Sequence, residues 1–153
     1  MLLIYYRFGE KKARNKLETI SSFINRFDKK KVDFDGAYGA QCVDLFRQWC
    51  SSLGIPHTGA VEGAKDLALR YESLPVEKKY FSLEKSPQAG DAAVWGATAG
   101  NPFGHVAIVV SVDGDDILVF EQDGFAQDGC RFAARKCGNL VGCLRFKEFE
   151  KEA

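Results

Sequence analysis

The sequence contains no run of about 18 apolar residues, so no transmembrane helix is expected. Histidine is scarce, with two in 153 residues, and the five cysteines, Cys42, Cys50, Cys130, Cys137 and Cys143, include no CxxC pair. A structural zinc site needs closer cysteine pairs or more histidine. A disulfide framework is expected in a smaller chain with an even cysteine count. The five therefore read as reduced thiols, most of them buried as small apolar residues. Net charge is absent too, 21 Lys and Arg balancing 21 Asp and Glu, and no nucleic-acid-binding motif appears. Internal repeats, low-complexity segments and linker-like stretches are also missing. The opening MLLIYYRFGEKK has a short apolar run, but no basic region before it and no small-residue cleavage site after it. No secretory signal is expected, so a protein made in the cytoplasm and working outside the cell would need something else to release it.

What remains has the length of one domain with a real core, and a monomer is favoured. Charge is distributed unevenly. Residues 1–31 hold nine Lys or Arg against three Asp or Glu, and the other 122 hold twelve against eighteen. Such an arm is either a solvated helix face or a contact for an anionic polymer, nucleic acid or membrane surface. Within residues 10–27, Leu17, Ile20, Ile24 and Phe27 fall at helical spacing. In 42–53, Cys42, Leu45, Phe46, Trp49, Cys50 and Leu53 form one stripe, stopped by Gly54 and Pro56. A third short helix is expected over 63–71. The second half changes period: 91–95, 105–112, 117–122 and 139–146 are rich in β-branched and aromatic residues and read as strands. Helices followed by antiparallel strands imply an α+β fold, one layer of helices on one sheet.

Cys42 follows the glycine-rich turn DGAYGAQ and opens a helix. The unpaired N–H groups there favour a thiolate, and they could also hold an oxyanion. Gln41 could add a side-chain N–H. The competing reading is an inert, buried thiol. A cysteine nucleophile needs a base and a group to orient it. His57 lies in a polar loop, whereas His105 follows Gly104, a residue that would let substrate backbone come close, at the start of the most apolar strand. Glu121 and Asp123 lie on the return strand of the same hairpin. If the hairpin loop is Asp113-Gly114-Asp115, Val112 pairs with Asp116, Asp123 falls opposite His105, and Glu121 falls diagonal to it on the same face. A two-residue loop would turn both carboxylates away, because a one-residue shift exchanges the faces. Asp33, Asp35 and Asp44 occupy positions 1, 3 and 12 of a twelve-residue loop, an oxygen-ligand spacing similar to an EF-hand loop. The alternative is an Asx-turn followed by helix N-terminal aspartates.

The blocks DFDGAYGAQCVDL, SPQAGDAAVW, FGHVAIVVSV, FEQDG and NLVGCLRF, in this order from about residue 32 to 146, resemble the CHAP domain, a family of papain-like amidohydrolases and peptidases. The resemblance implies a papain-like (NlpC/P60-like) fold, with N-terminal helices packed on a mostly antiparallel sheet. It divides the chain into a basic helical arm over 1–31, a catalytic domain over 32–147 and a tail over 148–153. It implies Cys42 as nucleophile, His105 as general base and Glu121 as the residue orienting His105. Asp123 stands where the family usually has Asn. Some phage lysins of the family bind calcium in the equivalent loop. Carried over, the ligands would be the carboxylates of Asp33, Asp35 and Asp44 with the carbonyls of Ala37 and Gly39, in a structural role. The implied substrate is bacterial peptidoglycan, cut at the muramoyl–L-alanine amide or at a D,L or cross-bridge peptide bond. Rivals are an amidase toxin or conjugative-transfer hydrolase, an inert wall-binding module, and a nucleic-acid contact through residues 1–31.

Overall fold

A computed structural model of the protein describes residues 16–150. The expected first helix is present as α1 over residues 16–27, and its portion before residue 16 lies outside the described residues. Ile20 and Phe23, one turn apart, are buried, while Leu17 stays exposed. Helix α2 spans Cys42–Ser52. It buries Leu45, Phe46, Trp49 and Cys50 and ends where Gly54 takes a positive φ of 74°. Two short helices follow, α3 at Asp66–Leu69 and α4 at Pro75–Tyr80. Pro75 opens α4, where its missing N–H costs nothing.

Six strands make one sheet: β1 Phe81–Glu84, β2 Ala92–Trp95, β3 His105–Asp113, β4 Asp116–Glu121, β5 Arg131–Lys136 and β6 Leu140–Phe146. Their order is β1-β6-β2-β3-β4-β5, and every strand pair is antiparallel. This is the expected α+β architecture. The expectation missed both edge strands, β1 and β5. RFAARK holds two alanines, three cations, one aromatic and no β-branched residue, so the segment lacks a strand signature and becomes a strand by pairing with β4. Its cations also suit an edge, where they discourage pairing with another chain.

Strand alternation sorts the core into two layers. Ala92, Val94, Val106, Ile108, Phe120 and Leu144 face α1 and α2, joining Phe23, Phe46 and Trp49. Ala93, Trp95, Ala107, Val109, Val119 and Cys143 form a smaller cluster on the other face. That second face is concave. Trp95 on β2 donates its indole N–H to the Lys136 carbonyl on β5 at 3.0 Å, although β3 and β4 lie between them in the sheet. At the C-terminus, α5 (Lys147–Glu150) brings Phe149 back against Phe146, with ring centroids 5.1 Å apart.

The hairpin between β3 and β4 differs from the expectation. Asp113 pairs with Asp116, so the turn has two residues, Gly114-Asp115, with positive φ at Gly114 as in a type II′ turn. The register then shifts between Val109 and Ser111, leaving Val110 as a bulge. Beyond it, Val109 pairs with Val119 and Ile108 with Phe120. The bulge adds the residue that a three-residue loop would have added. His105 and Glu121 therefore share a face for a different reason from the one anticipated.

Candidate active site

Cys42 is the first residue of α2 and is half-buried. The first N–H groups of a helix have no intrahelical acceptor, so those of Cys42 and Val43 are available beside the sulfur. The loop before them is held by two glutamines from the segment between β4 and β5. Gln122 is fully buried. Its Oε1 accepts the Val32 N–H at 2.7 Å, and its Nε2 donates to the carbonyls of Val32 and Gln41, each at 2.7 Å. Gln127 repeats the pattern on Ala40, accepting its N–H at 3.1 Å and donating to its carbonyl at 3.0 Å. Gly39, at φ +75°, fits under this bracket, since a Cβ there would lie 2.7 Å from Gln127 Oε1. Gln41 itself is exposed and occupies the N-cap position, its N–H donating to Asp44 Oδ2 at 2.9 Å.

His105 opens β3 with its side chain only 13% exposed, and its Nε2 lies 3.1 Å from Oε1 of Glu121, which is fully buried. With Nε2 committed to Glu121, Nδ1 is the nitrogen left for the thiol. Burial opposes charge on the imidazole, but hydrogen bonds to Cys42 and Glu121 and the charges of both outweigh it, raising His105 to about 9. Glu121 moves the other way. Burial would raise it, but His105 and Arg135 bind its charged form and hold it near about 2. Cys42, His105 and Glu121 thus lie together at the end of the sheet.

Arg135 was not anticipated from sequence. Its Nη2 donates to Glu121 Oε2 at 2.9 Å while its Nε donates to Glu121 Oε1. Arg131 stands 3.7 Å from Oε2. Both arginines lie on the unrecognised strand β5, and no local pattern marks them. Gln122 and Gln127 were missed as well, although Gln122 adjoins Glu121 in the EQD tripeptide. Asp123 lines the cleft beside His105, but its carboxylate is directed elsewhere. Oδ1 accepts the Phe125 N–H at 2.8 Å, and Oδ2 is 3.9 Å from Arg131. β4 ends at Glu121, so Asp123 lies in the following loop. Gly104 differs from its expected role. At φ +73°, a Cβ there would meet the Trp95 carbonyl at 2.4 Å, so the close approach it permits is to the chain's own backbone. His57 lies in an exposed loop, 2.7 Å from the Thr58 carbonyl oxygen. The buried thiols are poor nucleophiles: desolvation pushes Cys130 and Cys143 up to about 12 and Cys50 higher still.

Two cavities meet at His105. One, of about 320 Å³, contains Cys42, Gln41 and His105. Its rim carries three exposed aromatics, Tyr38, Phe103 and Phe125, Tyr38 being held at a positive φ of 64°. The other, of about 560 Å³, lies beyond His105 and is lined by Trp95, Arg135 and Lys136.

Asp33, Asp35 and Asp44 each present a carboxylate oxygen within 4.8 Å of the other two, a spacing that suits the several oxygen ligands of a hard cation. Burial pushes Asp44 above the usual carboxylate range, with the charges of Asp35 and Asp33 adding to the effect. Asp35 accepts the Ala37 N–H at 2.9 Å and is 3.1 Å from Arg47, a guanidinium that partly neutralises the cluster. Ala37 and Gly39 belong to the same loop.

A family model described as the CHAP domain matches residues 31–123. The D-alanyl-L-alanine endopeptidase of Streptococcus phage B30 is 32% identical over 96 residues, covering 60% of this chain and 21% of that protein. Endolysin PlyTW of Staphylococcus phage Twort is 33% identical over 102 residues, covering 63% of this chain and 21% of its own length. The chain thus spans about a fifth of these curated relatives. Among solved structures, Ly7917 with the hydrolyzing product of MDP superposes at a TM-score of 0.62 and 21% identity, covering 86% of this chain and 62% of that one. The wild-type endolysin LysIME-EF1 superposes at 0.57 and 17% identity, covering 85% and 63%. At these identities the likeness is one of fold.

Proposed function

This chain belongs to the CHAP domain family, and from that premise we propose that it hydrolyses an amide bond of bacterial peptidoglycan with Cys42 as nucleophile. The observation that carries the reading is the line Cys42–His105–Glu121 at the meeting of two cavities, one on each side of His105. His105 holds the thiol proton as an imidazolium, and the Cys42 sulfur attacks the amide carbonyl. The N–H groups of Cys42 and Val43, with the Gln41 side chain at the rim, take the developing oxyanion. His105 passes its proton to the leaving amine, and water, deprotonated by His105, releases the acyl group from sulfur. Glu121 keeps the imidazole oriented throughout. The name of the phage B30 relative favours the endopeptidase form over the muramoyl–L-alanine amidase form.

The same reading includes a structural calcium ion held by Asp33, Asp35 and Asp44, with the carbonyls of Ala37 and Gly39. Bound there, it supplies fixed positive charge that stiffens the turn ahead of Cys42.

Turbidity clearing of purified cell walls tests the activity. Wild type clears them and Cys42→Ala does not; equal clearing by both would exclude the cysteine mechanism. Mass spectrometry of the released fragments separates the forms: free cross-bridge or stem-peptide amines mark an endopeptidase, and free L-alanine amines with new lactyl ends mark an amidase. Chelation lowers the melting temperature and calcium restores it. Indifference to both would remove the ion.

A further inference from the structure

His105 is held through a closed circuit of four side chains. Glu121 Oε1 takes both the His105 Nε2 contact at 3.1 Å and the Arg135 Nε–H, while Oε2 takes Arg135 Nη2 at 2.9 Å. The Arg135 guanidinium lies over the Trp95 ring, 5.6 Å from its centroid, and the Trp95 ring centroid is 6.0 Å from that of His105. The indole is itself fixed by its N–H bond to the Lys136 carbonyl. We propose that Arg135 is a positioning residue of the active site, fixing the plane of the Glu121 carboxylate and setting how tightly that carboxylate holds His105 and its proton. The proposal rests on the cysteine-hydrolase reading of the site.

The physical argument begins at Glu121. A carboxylate with one imidazole partner can rotate about its last torsion and offer either oxygen. A guanidinium fork bonded to both oxygens removes that freedom. The fork also shares the very oxygen that His105 uses, so it draws charge from the contact that holds the imidazolium. The titratable and charged groups around His105 are Cys42 on α2, Glu121 on β4, Asp123 in the following loop, and Arg131, Arg135 and Lys136 on β5. Arg131 is more distant, at 3.7 Å from Oε2, and is engaged by Asp128 at 2.6 Å, so it cannot replace the fork. Lysine at position 135 would retain charge but offer one donor point instead of two. Removing the guanidinium strengthens the hold of Glu121 on the imidazolium and frees the carboxylate to turn.

The test uses full-length Arg135→Met and Arg135→Lys. Each of the two histidines gives an imidazole C–H resonance by NMR, with His57 as internal control. The expected result for Arg135→Met is a His105 midpoint raised by about half a pH unit or more, His57 unmoved, and wall clearing reduced by about tenfold or more. Arg135→Lys, which preserves charge and fold, recovers melting temperature more fully than clearing. An unchanged His105 midpoint in both variants, with clearing that follows melting temperature alone, would overturn the proposal and leave Arg135 as a neutraliser of buried charge. If Arg135→Met does not fold, the comparison of Arg135→Lys with wild type decides on the same two readouts. The NMR titration needs no substrate. A shifted His105 in Arg135→Met, with the wild-type protein itself failing to clear walls, would support the positioning role while rejecting the peptidoglycan reading.

Discussion

Glu121 is the last residue of β4 and Gln122 the first beyond it, and their side chains reach different halves of the candidate site. Glu121 holds His105; Gln122 holds the backbone that leads to Cys42 through three bonds of 2.7 Å. An amide is required there, because the site must accept one N–H and donate to two carbonyls. In Gln122→Leu the Val32 N–H and carbonyl lose their partners in a buried place, where each unmade bond costs about 1–3 kcal/mol, while the Gln41 carbonyl still accepts the Asp44 N–H. Denaturant unfolding should register a loss of about 2–4 kcal/mol. Loosening the helix start should also lower kcat by about 10–100-fold, since small misplacements of a nucleophile are costly. Clearing at wild-type rates by a folded Gln122→Leu protein would show that the bracket serves stability only.

At the scale of elements, the β3–β4 hairpin brings His105 to Glu121. Its register is enforced by buried pairs, Ile108 with Phe120 and Val109 with Val119, because slipping by one residue would expose both layers of core. The turn and the Val110 bulge accommodate whatever length the chain supplies. Inserting one glycine between Gly114 and Asp115 should therefore leave wall clearing within about twofold and cost less than about 1 kcal/mol, the extra residue being absorbed in an exposed turn. Abolished clearing in a folded insertion variant would mean that the turn, rather than the core, sets the register. Helix α2 contributes in a complementary way: its apolar stripe anchors it against the sheet, so its N-terminus arrives at the cleft with Cys42 first.

For the whole molecule, the His105–Glu121 pair links stability to pH in a defined window. The imidazole is raised from 6.5 to about 9, so its contribution is complete below pH 6.5 and lost as pH climbs through about 9. Glu121 is lowered from 4.5 to about 2, so its contribution is complete above pH 4.5 and lost as pH falls toward about 2. The difference in melting temperature between wild type and Glu121→Gln should be widest between pH 4.5 and 6.5 and narrow on both sides. A difference constant from pH 3 to 10 would show that the pair is not ionic. Wall clearing should decline near pH 9, where the leaving amine no longer finds a proton on His105.

Much of this was legible in the chain itself. The helical stripe from Cys42 to Leu53, the apolar run after His105 and the order Cys, His, Glu are local patterns, and local patterns decide helices and strands because side-chain spacing matches backbone geometry. They marked the α+β class, the nucleophile, the base and the orienting carboxylate as candidates. Other features depended on residues that meet only after folding. The bulge at Val110 arises from competition between turn length and core pairing. Asp123 turns toward Phe125 and Arg131 because β4 has ended before it. Gln122 reaches Val32 across 90 positions of sequence, and Arg135 reaches Glu121 from a strand with almost no signature of its own. Sequence determined which groups were available for chemistry; the curl of the sheet, by bringing β2, β4 and β5 around one buried carboxylate, decided which of them act together.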